Sequence, residues 1–344
     1  MDGGVNVPVQ RKRVNLALQG GGAHGAFTWG VLDAILLDGR LDVRAISGTS
    51  AGAMNAVVFA DGMREGGADR ARAQLAEFWR AVAVDGKMND VQRNLFDVFL
   101  GAMQPFNFGR SMLENAASYF SPYDFNPLDI NPLREVVADL IDFAALRKSD
   151  DLKLFIAATN VWTGKIRVFQ RPELTEDMLM ASACLPTLFK AVSVNGEPYW
   201  DGGYSGNPPL FPLFTETDLS DIILVQVNPI VRKETPRSAM EIMNRVNEIT
   251  FNAPLLGEFR AIEFVGRLLD AGALKTSRYK KVRLHLVAGG PELAAFSADT
   301  KTRLDLKFFN TMFALGQKAG KNFLDEHFDA IGVRATLDLP NELS

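Results

Sequence analysis

The chain has 344 residues, of which 47% are hydrophobic and 23% are charged, and its formal net charge is -4. This is the composition of an ordinary globular protein with a sizeable core, and the acidic balance excludes a general attraction to nucleic acid. The single cysteine, Cys184, excludes an intrachain disulfide framework.

The first 13 residues are predicted to form a tail. They contain the basic residues Arg11, Lys12 and Arg13, but no apolar segment ahead of a small-residue cleavage site, so they lack the features of a secretion signal. No uninterrupted apolar run is long enough to predict a transmembrane helix. We therefore expect a cytoplasmic location, although export without a signal would leave no mark in the sequence.

A β-α-β pattern opens the chain. Residues 14–19 and 43–47 are short apolar runs typical of strands, and the stretch 26–37 between them predicts an amphipathic helix. A further helix is predicted over 51–63. Strands joined by helices in this way run parallel, so the pattern predicts a mainly parallel sheet covered by helices.

The turn after the first predicted strand contains Gly20, Gly22 and Gly25 in a G-x-G-x-x-G pattern. A dinucleotide site would require an acidic residue near the end of the second strand, but Asp42 precedes that strand. The same turn could form an oxyanion hole, because successive glycines at a helix N-terminus leave backbone N–H groups free to bind a negative oxygen. A plain tight connection is the third interpretation.

The second predicted strand runs into Gly48-Thr49-Ser50-Ala51-Gly52. A strand that turns sharply into a helix through G-x-S-x-G exposes the serine hydroxyl on a strained turn, which predicts Ser50 as a nucleophile. The alternative is a serine that merely caps a helix. The serine elbow and the glycine turn support each other as parts of one site.

The remaining elements alternate between helices and short strands. A helix is predicted over 69–84 after a break at Gly66-Gly67, and another over 131–146 with Asn131 as its cap. Residues 90–129 are rich in aromatic side chains; they could cap an acyl-chain pocket, although burial in a core is the favoured interpretation. The other predicted elements are hairpins over 152–170 and 191–200, a helix over 175–182, strands at 221–228 and 282–288, and helices over 238–271 and 303–331.

A nucleophilic serine needs a base, and the sequence offers two kinds of candidate. The histidines are His24 in the glycine turn, His285 in the last predicted strand and His327 on a polar helix end. The competing base is Asp201, which is followed by Gly202-Gly203 and could act directly on the serine if its surroundings raise its basicity. Asp-Gly-Gly is also a common turn sequence, so residue chemistry alone leaves this choice open.

Taken together, these motifs resemble the patatin-like phospholipase family. The segments 20–25, 48–52 and 201–203 match its glycine turn, its G-x-S-x-G elbow and its D-G-G motif in order and spacing, and Ala181-Ser182-Ala183-Cys184-Leu185-Pro186 resembles its A-S-x-x-x-P segment. The similarity covers about residues 14–213. One departure is His24, which stands where the family usually has Arg or Lys.

The resemblance implies a three-layer α/β/α fold and a Ser50-Asp201 dyad without histidine, with Gly21 and Gly22 as oxyanion donors. The residues of its motifs are Gly20, Gly25, Gly48, Gly52, Gly202 and Gly203. The implied chemistry uses neither a metal nor a cofactor. The expected activity is hydrolysis of acyl-ester lipids, as in a phospholipase A, with transient contact to a lipid surface; the oligomeric state is left open.

Two alternatives stay open: a non-catalytic member that binds lipid or protein, and a depolymerase of intracellular polyester. We expect residues 14–228 to form the catalytic domain. Residues 229–344 are expected to form a mainly helical extension with one late strand, packed on the same domain.

Overall fold

A mixed sheet organises the protein in the computed structural model, which describes residues 11–83, 121–126, 128–296, 300–301 and 303–343. Its strands are β1 Lys12–Leu18, β2 Leu41–Thr49, β3 Lys153–Asn160, β4 Ile166–Gln170, β5 Val192–Val194, β6 Glu197–Asp201, β7 Asp221–Gln226 and β8 Arg283–Ala288. Along the sheet the order is β5-β6-β3-β2-β1-β7-β8, and β4 also pairs with β3.

The five strands from β3 to β8 along this order are parallel, whereas β4, β5 and β6 pair in antiparallel fashion. The predicted mainly parallel sheet is therefore confirmed. Both predicted hairpins are present, and at the second one Asn195 and Gly196 have φ of 52° and 83°, as a tight two-residue turn requires.

Helices cover the sheet on both sides. They are α1 Gly25–Asp38, α2 Ala51–Val82, α3 Pro122–Phe125, α4 Pro132–Leu140, α5 Phe143–Lys148, α6 Glu176–Ser182, α7 Phe211–Thr215, α8 Ala239–Asp270, α9 Gly290–Ala294, α10 Leu306–His327 and α11 Leu339–Glu342. Among the helices of the described residues, none is both long and apolar enough to cross a membrane.

Side-chain alternation along the strands divides the core into two layers. In β1, Leu16 and Leu18 belong to the cluster that contains Phe27 of α1, whereas Ala17 belongs to the cluster that contains Phe259 of α8. Successive residues of a strand point to opposite faces, so one sheet separates two helical layers. This confirms the three-layer α/β/α fold.

The C-terminal third of the chain contributes to both the sheet and a helical layer. Strand β8 extends the sheet beside β7. Helix α10 packs closely on α1, since a Cβ built on Gly30 would lie 2.0 Å from the Phe313 carbonyl oxygen and one built on Gly316 would lie 1.9 Å from that of Phe27. Glycine at both positions lets the two helix backbones approach each other.

One predicted helix boundary was wrong for a local reason. The predicted helix 131–146 is two helices, because Ile141 is extended and Asp142 caps α5 by accepting the Ala145 N–H at 2.9 Å. The break predicted at Gly66-Gly67 is confirmed, because both residues have non-helical dihedrals inside α2, which spans the helices predicted over 51–63 and 69–84.

The predicted tail is also corrected. Lys12 and Arg13 belong to β1 because they pair with Leu41 and Asp42 of β2. Residues 1–10 lie outside the described residues, and so does most of the aromatic segment 90–129.

Candidate active site

Ser50 is the first residue after β2 and immediately precedes α2. Its backbone has φ 55° and ψ -125°, which is strained for a residue with a side chain. The turn is also crowded, since a Cβ on Gly52 would lie 2.2 Å from the carbonyl oxygen of Leu18 in β1. The second glycine of G-x-S-x-G is therefore required by the close approach of β1 to α2, and the sharp turn predicted for Ser50 is present.

Asp201 ends β6 at the same edge of the sheet. It pairs with Ala158 of β3, while the neighbouring Ala157 pairs with Thr49 at the end of β2. The sheet register thus brings Asp201 beside the serine elbow. The backbone N–H of Asp201 donates to the carbonyl oxygen of Cys184 at 2.7 Å, which fixes the end of the strand.

The Asp201 carboxylate is fully buried. Oδ1 accepts the Gly203 N–H at 2.7 Å, whereas Oδ2 accepts no hydrogen bond of ordinary length from the described residues. Burial raises the pKa of Asp201 to about 7, although the Gly203 N–H and the nearby Ser50 hydroxyl both lower it. A carboxylate of raised basicity with one oxygen available near Ser50 is suited to accept a proton.

The glycine turn lies against the elbow. A Cβ on Gly20 would lie 2.8 Å from both the Ser50 Cβ and the Thr49 carbonyl oxygen, so no larger residue fits without movement. Gly22 has φ 57° and starts the short 3-10 turn that leads into α1. Within the described parts of the chain, the N–H groups of Gly21 and Gly22 donate to no acceptor. The backbone groups predicted as oxyanion donors thus lie without an acceptor in the turn that packs on the elbow through Gly20.

The other motif glycines lie around these groups. They are Gly25 at the start of α1, Gly48 inside β2, and Gly202 and Gly203 in the 3-10 turn after β6. The motifs predicted to form one site are therefore brought together.

Within the described ranges, no group of three or more His, Cys, Asp or Glu side chains could hold a metal ion.

Buried polar residues that the motif analysis did not assign hold this arrangement. Asn207 is fully buried and its Oδ1 accepts the Gly20 N–H at 2.7 Å. The Thr49 hydroxyl donates to the Gly206 carbonyl oxygen at 2.7 Å, and the Ser47 hydroxyl donates to that of Pro209 at 2.6 Å. The loop after Gly203 is thus tied to both the glycine turn and the elbow.

The histidines occupy other environments. His24 is buried with its Nε2 2.7 Å from the Thr300 Oγ1, and its ring contacts those of Phe296 and Phe308. His285 lies in β8, three strands from β2, with Nε2 3.0 Å from Asp221 Oδ1. His327 ends α10. The structure therefore places Asp201, rather than His285 or His327, beside the elbow.

Comparison with known proteins identifies the family of the chain. The profile of the patatin-like phospholipase family matches residues 16–214. Curated protein sequences gave no significant match.

Several solved structures resemble the chain at low identity, among them VipD and ExoU. VipD from Legionella pneumophila is 17% identical with a TM-score of 0.43, over 92% of this chain and 67% of VipD. Full-length ExoU, solved with SpcU from the type III secretion system of Pseudomonas aeruginosa, is 14% identical with a TM-score of 0.31, over 90% of this chain and 53% of that one. The chain thus spans about half the length of ExoU.

Proposed function

Because the chain belongs to the patatin-like phospholipase family, we propose that it is a serine hydrolase of acyl-ester lipids that uses Ser50 and Asp201. Family membership supports a lipid hydrolase. The observation that carries the finer assignment is the buried Asp201 carboxylate, whose pKa is raised to about 7 and whose Oδ2 lies free of ordinary hydrogen bonds beside Ser50.

The reaction starts with attack of the Ser50 Oγ on the ester carbonyl carbon. Asp201 Oδ2 accepts the hydroxyl proton, and the N–H groups of Gly21 and Gly22 bind the oxygen that becomes negative. Collapse of this tetrahedral intermediate breaks the bond to the alcohol, which leaves with the proton from Asp201. The acyl group remains as an ester on Ser50.

Water then releases the acyl group. Asp201 removes a proton from the water as it attacks the acyl carbonyl, and the proton returns to the Ser50 Oγ when the acid departs. Binding of an acyl-ester lipid brings the protein into transient contact with a lipid surface, which is part of this proposal. A cytoplasmic location stays a prediction from the sequence.

A fluorophosphonate probe tests the proposal directly, because it reacts with activated serines. We expect mass spectrometry to locate the label on Ser50, with none in Ser50→Ala and slow labelling in Asp201→Asn. Ser149→Ala, at the end of α5, is the control and should be labelled like the wild type.

Labelling on a different serine would contradict the assignment of Ser50. A folded protein that stays unlabelled in buffer and in detergent micelles, and that releases no fatty acid from phospholipid or glyceride, would favour the non-catalytic lipid- or protein-binding alternative. Release of hydroxy acids from a polyester, with none from lipids, would identify the depolymerase.

A further inference from the structure

A half-buried lysine from the C-terminal third of the chain, Lys301, lies against the glycine turn. The Lys301 Nζ donates to the Asn228 Oδ1 at 2.6 Å. Its backbone also touches the turn, because a Cβ on Gly22 would lie 2.5 Å from the Lys301 carbonyl oxygen. This lysine therefore contacts the structure that carries the proposed oxyanion donors.

Asn228 connects this ammonium to the turn. Its Nδ2 donates to the Gly20 carbonyl oxygen at 2.6 Å. The orientation of the amide is set by its partners, because an ammonium only donates and a carbonyl oxygen only accepts. The Asn228 N–H also donates to the Gln19 Oε1 at 2.8 Å, and the residue is only 1% exposed, so the amide is held in place.

The Gly20 carbonyl and the Gly21 N–H belong to the same peptide group. A hydrogen bond to the carbonyl oxygen withdraws electron density from that peptide and makes its N–H a stronger donor, and bonds in a chain strengthen one another. Each donor in this chain points toward the next group: Lys301 donates to Asn228, and Asn228 donates to the peptide that carries the Gly21 N–H. The peptide dipole therefore has its positive end at the Gly21 N–H.

We propose that Lys301 and Asn228 form a relay that polarises the Gly20-Gly21 peptide and strengthens the Gly21 N–H as an oxyanion donor. Lys301 thereby places a positive charge beside the turn in which His24 stands where the family usually has Arg or Lys. Lys301 is a positioning residue, since it acts through Asn228. The inference rests on the proposed hydrolase function.

Other charges bear on this lysine. Burial lowers the pKa of Lys301 to about 8, Glu248 of α8 raises it and Arg232 lowers it. Glu248 is itself bound by Arg232 at 2.8 Å and by Arg245 at 3.2 Å, so its negative charge is largely shared with two arginines. The relay is therefore charged at neutral pH and loses its charge as pH rises past about 8.

The test is the pH dependence of kcat and KM between pH 5 and 10 on a soluble p-nitrophenyl ester. The wild type should show a fall in kcat centred near pH 8, as Lys301 loses its proton. Lys301→Met, which keeps length but removes charge, should lower kcat at pH 7 about tenfold with little change in KM, less than the loss of a whole oxyanion donor. This variant should also lack the fall near pH 8.

Two further variants separate charge from structure. Lys301→Arg should restore much of the neutral kcat and move the alkaline fall above pH 10, because arginine stays protonated. Lys318→Met removes an exposed lysine that pairs with Glu292 and should behave like the wild type.

Each outcome decides the proposal. A folded Lys301→Met with wild-type kcat and an unchanged alkaline fall would overturn it, and so would a wild type without that fall. If Lys301→Met does not fold, the wild-type profile and Lys301→Arg still decide. A folded wild type without hydrolysis that depends on Ser50 would overturn the proposed function itself, and with it the relay.

Discussion

The backbone N–H of Ser50 donates to the Ser182 Oγ at 3.0 Å. Ser182 is fully buried at the end of α6, in the segment that precedes Asp201. A strained backbone with φ 55° persists only where the surrounding structure holds it, and this hydrogen bond is one of the contacts that hold Ser50. The serine of the A-S-x-x-x-P segment thus has a physical role, which is to fix the backbone of the serine elbow.

Ser182→Ala should loosen the elbow. The Ser50 N–H would be left without its partner in a buried site, which costs about 1–3 kcal/mol of unfolding free energy. We also expect a lower kcat, because the Ser50 hydroxyl would be less well aligned. Thermal unfolding and ester hydrolysis measure the two effects, with Ser149→Ala as the control. Wild-type values for both quantities would show that the hydrogen bond has no functional role.

Activity should rise with pH through about 7. The base must be deprotonated to accept the serine proton, and burial raises the pKa of Asp201 to about 7. The pH profile of kcat/KM measures the pKa in the free enzyme. The control is Glu258→Gln. Burial also raises the pKa of Glu258 to about 7, but its carboxylate accepts the Leu210 N–H and has no role in the proposed mechanism. The rise should persist in that variant, and a rise centred near pH 4 would argue against a buried Asp201 as the base.

Asp201→Asn should remove activity and stabilise the fold at neutral pH. Because folding raises the pKa of Asp201, the native state holds this proton more tightly than the unfolded state. The wild type therefore keeps its full stability from this group below pH about 4 and loses it as pH rises to about 7. Asp201→Asn should melt at a higher temperature than the wild type. This difference in melting temperature should grow from pH about 4 to pH about 7 and then stay constant. A constant difference from pH 4 to pH 8 would contradict the raised pKa.

The local motifs predicted the parts of the site that depend on short spacings. Ser50 and Gly20 could be assigned because a strand followed by a glycine-rich turn into a helix has few geometries. Asn207, Asn228 and Lys301 could not, because a single Asn or Lys carries no pattern and their contacts to Gly20 and to each other span between 73 and 208 residues. Those long-range contacts can be recognised only once the fold is known.

The same distinction explains the boundaries of the fold. The glycines predicted to break a helix do carry non-helical dihedrals in α2, but the chain resumes the helix beyond them because the segment packs on the same core. Asp142 caps α5 inside a continuous helical pattern. Packing on the core therefore decided the first case, and a local cap decided the second.

Gly20→Ala should disturb the site although it adds a single methyl group. The new Cβ would lie 2.8 Å from the Ser50 Cβ and 3.1 Å from the Asn207 Oδ1, so the glycine turn must move away from the elbow. Overpacking of this kind costs about 1–3 kcal/mol, and a displaced oxyanion turn should lower kcat by about a hundredfold.

The matched control is Gly257→Ala in α8, where an added Cβ meets nothing within 4 Å. That change should stabilise the protein by about 0.5–1 kcal/mol without altering kcat. Equal kcat in Gly20→Ala and Gly257→Ala would remove the glycine turn from the proposed mechanism.

His285→Ala separates the dyad from a Ser-His-Asp triad. His285 is fully buried, and its partners are Asp221 Oδ1 at 3.0 Å and Thr336 Oγ1 at 3.1 Å. Burial alone would raise the pKa of Asp221, but hydrogen bonds from His285, Arg283 and Gly332 hold it well below its usual value. Arg283 and the Gly332 N–H remain in the variant, so Asp221 keeps part of its support.

We therefore expect His285→Ala to lower the unfolding free energy by about 1–3 kcal/mol, as a lost buried hydrogen bond does, while kcat per active site stays close to that of the wild type. Fluorophosphonate titration counts the active sites, and assays well below the melting temperature keep the variant folded. A triad would instead lose roughly 10⁴-fold in kcat, since the base would be missing. Such a loss in folded His285→Ala, together with activity that survives in Asp201→Asn, would replace the dyad with a histidine mechanism.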